Sequence, residues 1–125
     1  MKKLPEIVQT AWMNREGPAV LATVDAAGRP NVIYVGCVSA WGEGTVAVAD
    51  NYMHKTRANI QAGRPGALLF LTKDRKAYQL KGTFTYHTAG PLFESMKTWN
   101  KPEYPGVAAV ALQVQEIYSG AEKLM

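Results

Sequence analysis

At 125 residues the chain has the length of one domain. Its 47% apolar and 19% charged residues argue for a packed core and against disorder. The net charge of +4 is scattered from Lys2 to Lys123, with only Lys73, Arg75 and Lys76 gathered at one turn; this favours a solvated surface over a nucleic-acid-binding face.

The basic start MKKLPEIVQTAW lacks a continuous apolar run and does not read as a signal peptide. Within it, Leu4, Ile7, Val8, Ala11 and Trp12 recur at helical spacing, which predicts a first helix with Pro5 in its first turn and Gly17-Pro18 at its end. Trp12 on that stripe is expected in the core. AVLATV (19–24), PNVIYVGCV (30–38) and TVAVA (45–49) read as strands separated by the turns DAAG and GEG, consistent with an antiparallel meander.

DNYMHKTRANIQAGRP (50–65) is a polar turn followed by a short helical pattern that stops at Gly63 and Pro65. ALLFLT (67–72) and AYQLKGTFTYHT (77–88) form a second strand pair across KDRK, and Gly82 marks a bulge or bend. PLFESMKTWN (91–100) predicts a third helix with Leu92, Phe93, Met96 and Trp99 on one side. In VAAVALQVQEIY (107–118) Val110, Leu112 and Val114 alternate with smaller or polar residues, as in a final strand.

Strands dominate this order and no βαβ rhythm appears. The expected class is mainly β: a six-stranded antiparallel barrel with peripheral helices, closed to remove exposed strand edges. Runs such as ALLFL fall far short of the ~20 apolar residues of a membrane helix. The single cysteine, Cys37, permits no intrachain disulfide and suits a reducing cytoplasm.

Several chemistries lack support. His54, His87 and Cys37 show no metal-ligand spacing. None of Ser39, Ser95 and Ser119 sits in a nucleophile-elbow context, and neither a P-loop nor a dinucleotide fingerprint is present.

The start of the second helix is more informative. The first N–H groups of a helix lack intrahelical partners and lie at the positive end of its dipole, which suits a phosphate. Lys55 would add a mobile charge, Thr56 a hydroxyl donor and His54 a ring N–H, while Asn51 and Tyr52 shape the turn. The plainer alternative is that Asp50 or Asn51 caps the helix and His54 and Lys55 face water.

VAVADNYMHKTRANIQAGRPGALLFL resembles the strand–turn–helix–strand block of the pyridoxamine 5′-phosphate oxidase-related, FMN-binding split barrels. Asn51-Tyr52 stands at that family's Thr-Asn-Tyr-like turn. Met53-His54-Lys55-Thr56 matches the variant carried by its small FMN-binding proteins, and the order of elements agrees along nearly the whole chain. The resemblance implies a six-stranded split barrel with FMN as cofactor. It also implies that Lys55 and Thr56 hold the phosphate beside His54. The backbone of Val48, Ala49 and Asp50 would follow the isoalloxazine edge, with Tyr34 and Val35 on its other side and Gln79 reaching the ribityl chain or ring.

The family's flavin lies between two subunits, so a homodimer is implied, with Tyr104 the preferred contact across it. Trp41 and Trp99 are further candidates for stacking on the ring, although Trp99 also suits a structural place on its helix. Departures are equally plain. The second strand carries VIYVGC in place of the family's basic residues, Ala77 stands where its glutamine would, and the C-terminal substrate motif is replaced by YSGAEKLM. These argue against vitamin B6 oxidation.

The resulting expectation is a cytoplasmic FMN flavoprotein with oxidoreductase or electron-transfer function, served by a small-molecule or redox-protein donor, with no assigned catalytic residue. A non-enzymatic flavin-binding module and an F420-dependent reductase on the same barrel are the alternatives. Nucleic acid and membrane are not expected partners. Asp50 would disfavour an anion unless its side chain turns away.

Overall fold

The structure, a computed structural model, describes residues 3–125, so Met1 and Lys2 of the basic start lie outside the described residues. In chain order its elements are α1 (Glu6–Met13), β1 (Arg15–Val24), β2 (Pro30–Val35), β3 (Val38–Ala40), β4 (Thr45–Asp50), α2 (Lys55–Gln61), β5 (Gly66–Thr72), β6 (Ala77–His87), α3 (Pro91–Trp99), β7 (Ala108–Ser119) and β8 (Glu122–Lys123). The strands form one antiparallel sheet in the order β2-β1-β5-β6-β7-β4-β3, with β8 paired to the end of β7. The sheet curls into a split barrel. Its two edge strands, β2 and β3, are neighbours in sequence.

Alternation along the strands builds two cores. Leu21, Val46, Val48, Leu68, Phe70, Leu80, Val110, Leu112 and Ile117 point into the barrel, where Val8 and Trp12 of α1 also pack. Trp12 stands edge-on to Phe70 with ring centroids 5.2 Å apart. On the opposite faces of β4 and β7, Ala47, Ala49, Ala109 and Ala111 meet Leu92 and Met96 of α3. β4 is therefore buried along its whole length. Alanines on that face let the helix lie close, and each large aliphatic side chain buried on the other contributes roughly 1.5–3 kcal/mol.

Four sequence expectations are corrected. First, α1 ends at Met13, and Gly17-Pro18 lies inside β1. There Gly17 adopts φ 70°, and the register to β5 shifts between Glu16 and Val20. Second, Ile7 faces outward, 56% exposed, and does not share the buried stripe. Third, the segment 30–38 is two strands rather than one. It breaks at Gly36-Cys37, so β4 pairs with β3 and β7 while β2 pairs with β1, and the expected meander is interrupted. Fourth, that break and the short terminal β8 raise the strand number from six to eight among the described residues.

Gly82 behaves as expected. The β6–β7 register shifts between Lys81 and Gly82. A Cβ at Gly82 would stand 1.9 Å from the Gln113 carbonyl oxygen, so the close strand approach requires glycine.

Candidate ligand groove

A groove of about 610 Å³ opens where the sheet parts, between β2, the β4–α2 turn and the loop after α3. That volume lies within the range of small-molecule sites, roughly 300–1,000 Å³. Its walls include residues 31–37, Ala49, residues 51–56, Lys101 and Tyr104.

The floor at the start of α2 is built by a buried carboxylate. Asp50, at the end of β4, is fully buried. It accepts hydrogen bonds from Arg57 Nε at 2.7 Å, Arg57 Nη2 at 3.0 Å, Tyr86 Oη at 2.6 Å and the Met53 N–H at 3.1 Å. Burial opposes ionisation of Asp50, yet the hydrogen bonds from Arg57, Tyr86 and Met53, with the Arg57 charge, hold its pKa below the usual carboxylate value. The same network raises the pKa of Arg57, chiefly through its hydrogen bond to Asp50. Burial and then the Asp50 carboxylate push the Tyr86 phenol up to about 12.

Asp50 thus turns away from the groove, and Arg57 neutralises it there. The carboxylate fixes the turn by holding the Met53 amide rather than by capping α2. His54 takes the N-cap position with no side-chain hydrogen bond to the helix. His54 and Lys55 are exposed, whereas Thr56 is buried and lines the groove.

Thr56 is held from below. Asn31 Nδ2 donates to Thr56 Oγ1 at 2.8 Å. Asn59 Nδ2 donates to Thr23 Oγ1 at 3.0 Å, tying β1 to the same polar patch. Because the Thr56 oxygen accepts from Asn31, its own proton is directed toward another acceptor.

The far wall is pinned by a second amide system. Asn51 and Asn100 exchange two hydrogen bonds of 2.9 Å each, and Asn51 Oδ1 also accepts the Gly106 N–H at 2.9 Å. Val107 N–H adds a bond of 2.8 Å to the Asp50 carbonyl. Tyr104, carried by the intervening loop, meets Tyr52 edge-on at a centroid distance of 6.2 Å.

Of the residues singled out from sequence, Tyr34, Val35, Ala49, Asn51, His54, Lys55, Thr56 and Tyr104 come together on this groove. Three do not. Val48 points into the barrel core, Asp50 is enclosed by Arg57 and Tyr86, and Gln79 lies on β6 between Leu69 and Tyr118. The backbone of this stretch is also engaged: Ala49 N–H donates to the Cys37 carbonyl and the Asp50 carbonyl accepts from Val107. Trp41 and Trp99 pack around α3, so aromatic surface at the groove comes from Tyr34, Tyr52 and Tyr104.

Sequence reasoning missed Asn31, Ile33, Cys37 and Lys101 as lining residues. Asn31 carried a faint signal, since it shares the period-two face of Ile33 and Val35 and is polar. Lys101 carried none, because its place depends on how the loop folds back. Among the described residues no cluster of His, Cys, Asp and Glu is arranged to hold a metal ion. No described helix is long and apolar enough to cross a membrane.

Comparison with known proteins fits this architecture. Residues 6–120 match the family model described as pyridoxamine 5′-phosphate oxidase. The chain belongs to the pyridoxamine 5′-phosphate oxidase family. An uncharacterized protein of Methanocaldococcus jannaschii is 32% identical over 104 residues, covering 79% of this chain and 70% of that protein. The crystal structure of HupZ from Group A Streptococcus is 26% identical with a TM-score of 0.78, covering 93% of each chain. An FMN-binding protein of Syntrophomonas wolfei shares the fold with a TM-score of 0.75 at 18% identity, covering 96% of this chain and 85% of that one. The fold recurs in an F420 reductase at 17% identity, with a TM-score of 0.69 and coverage of 92% and 98%. It recurs again in a heme-binding protein of Mycobacterium smegmatis at 14% identity, with a TM-score of 0.71 and coverage of 91% and 52%.

Proposed function

We propose that this protein binds FMN in the groove and serves as an oxidoreductase or electron-transfer flavoprotein. The carrying observation is that His54, Lys55 and the Asn31-oriented Thr56 hydroxyl line the same groove as the tyrosines of its rim. One part of the groove suits a phosphate and the rest suits a flat ring.

Lys55 supplies a charge to the phosphate, Thr56 a hydroxyl donor and His54 a ring N–H. A charge-assisted hydrogen bond of this kind contributes roughly 1.5–3 kcal/mol. Val35, Ala49 and Tyr34 offer surface to the ring, and Asn51 holds the turn rather than the ligand. The Asp50–Arg57 pair removes a bare negative charge from beneath the phosphate. Bound FMN would supply hydride or single-electron transfer at its isoalloxazine. The chain's part is to bind, orient and shield that ring, and no residue is assigned as a catalytic acid or base. Oxidation of pyridoxamine phosphate is outside the proposal, because β2 lacks the family's basic residues.

A second copy of the chain completes the proposal. Val32, Tyr34 and Tyr52 on the groove rim are well exposed, and a homodimer would cover them and enclose the ring. The electron donor would be a small molecule or a redox protein, in a cytoplasmic setting.

The deciding experiment is a visible spectrum of the purified protein with mass spectrometry of whatever dissociates on denaturation. Two flavin bands and the mass of FMN support the reading. A deazaflavin band, a heme Soret band, or a colourless protein that does not take up added FMN overturns it. Turnover with nicotinamide donors and artificial acceptors then separates an enzyme from a module that only holds flavin.

A further inference from the structure

We infer that Asn51 and Asn100 act as positioning residues: their paired amides hold the Lys101–Pro105 segment as a fixed wall of the groove. Asn51, itself a lining residue, therefore shapes the groove by holding this wall. The inference rests on the proposed FMN reading for its ligand, but not for its geometry.

The segment between α3 and β7 carries two groove-lining side chains, Lys101 and Tyr104, and is itself exposed from Lys101 to Pro105. Internally it has the turn bond from Tyr104 N–H to the Lys101 carbonyl at 3.0 Å. Its attachments lie at its ends. Asn100, only 9% exposed, is joined to Asn51 by two amide bonds, while Gly106 and Val107 donate to the Asn51 side chain and the Asp50 carbonyl.

Asn51 Oδ1 thus accepts from both ends of the segment. A primary amide is suited to this, since only Asn or Gln offers both a two-lone-pair acceptor and a paired donor. Gly106 reaches its position with φ 57°, and a Cβ there would stand 3.1 Å from Asn100 Nδ2. Glycine admits the loop to the clasp both by conformation and by space. The clasp is anchored in turn, because Asn51 follows Asp50, whose carboxylate is fixed by Arg57 and Tyr86.

The pair has two donors and two acceptors matched to each other, and removing Asn100 leaves the half-buried Asn51 Nδ2 without its acceptor while Asn51 Oδ1 keeps the Gly106 N–H. The Lys101–Pro105 segment then keeps only the Gly106 and Val107 attachments. Tyr104 loses its fixed distance to Tyr52, and the groove loses a wall without losing its phosphate-binding residues.

The test uses the full chain with Asn100→Ala, Tyr104→Ala and the double variant, each titrated with FMN and followed by visible circular dichroism of the bound ring. Asn100→Ala is expected to weaken FMN binding about three- to tenfold and to reduce the ring signal as Tyr104→Ala does. The double variant should fall little below the weaker single variant, because both changes act through one wall. Lys55→Ala, acting at the phosphate, should instead multiply with Asn100→Ala. Full additivity of Asn100→Ala with Tyr104→Ala, or unchanged affinity, overturns the inference.

Hydrogen exchange of the ligand-free protein gives an independent reading. Asn51→Ala, which removes the acceptor of the Gly106 N–H, should strip protection from Gly106 while leaving the β4 and β7 amides protected; retained protection at Gly106 overturns the clasp. If the wild-type protein takes up no FMN, the cofactor reading falls, and this exchange measurement alone decides the clasp. Should Asn100→Ala fail to fold, Asn100→Leu, close in volume and without donor or acceptor, removes the same two bonds with the same expectations.

Discussion

Asp50 and Arg57 are joined by two hydrogen bonds, Nε to Oδ2 at 2.7 Å and Nη2 to Oδ1 at 3.0 Å, with the Asp50 side chain fully buried and the Arg57 side chain 30% exposed. The bond spans the turn from the end of β4 to the first turn of α2. It therefore sets where the helix begins, and with it the place of His54, Lys55 and Thr56.

Arg57→Ala should destabilise the fold by about 3–5 kcal/mol, because it strands a buried carboxylate with only Tyr86 and Met53 as partners. Water reaching the exposed side of Arg57 places the expectation at the lower end. Urea unfolding followed by fluorescence measures it, and a loss below about 1 kcal/mol would show that the pair does not hold the turn.

The same network predicts a stability plateau with two edges. The folded-state pKa of Asp50 lies below its unfolded value, so its contribution is present above the ordinary aspartate pKa of ~3.9 and is lost as pH falls through the folded value. Tyr86 is raised to about 12, so its contribution is intact below the ordinary tyrosine pKa and is lost as pH rises above that pKa and through about 12. Melting temperature measured across pH should fall at both ends. Tyr86→Phe should flatten the alkaline fall and leave an acid fall in place; an unaltered alkaline edge contradicts the assignment.

At the groove, Lys55→Ala should weaken FMN binding roughly tenfold or more, the equivalent of losing a charged hydrogen bond. Thr56→Val, which removes only a neutral hydroxyl, should cost about two- to tenfold. Fluorescence titration of both variants ranks the contributions. Equal affinity of Lys55→Ala and wild type would place the phosphate elsewhere.

Gly82→Ala should destabilise by at least about 1–3 kcal/mol, since the added methyl meets the fixed backbone of Gln113 and cannot be accommodated by a side-chain shift. Thermal unfolding checks this, and a melting temperature equal to that of wild type would mean the two strands can separate freely at the bulge.

Much of this architecture was legible in local pattern. The period-two runs from Ala19 to Val24 and from Val110 to Val114 located strands, and Gly82 gave away its bulge. Pairing was less accessible. PNVIYVGCV reads as one strand because nothing in its residue types says that Gly36-Cys37 leads from one edge of a curled sheet to the other. The helix with Lys55 and Thr56 at its start was visible, but the partner of Asp50 was not. Arg57 reads as one more surface cation, and Tyr86 is 36 residues away from the carboxylate it meets. Long-range polar pairing leaves no period in the sequence. The reach of Asn51 across 49 residues to Asn100 was hidden for the same reason.

The break at Gly36-Cys37 leaves the two outermost ribbons of the sheet facing each other without a ladder of backbone bonds between them. Such a seam can widen or narrow while every existing rung stays made. A molecule lodged across it would act as the missing rung, so its arrival should stiffen the whole cylinder rather than only the residues it touches.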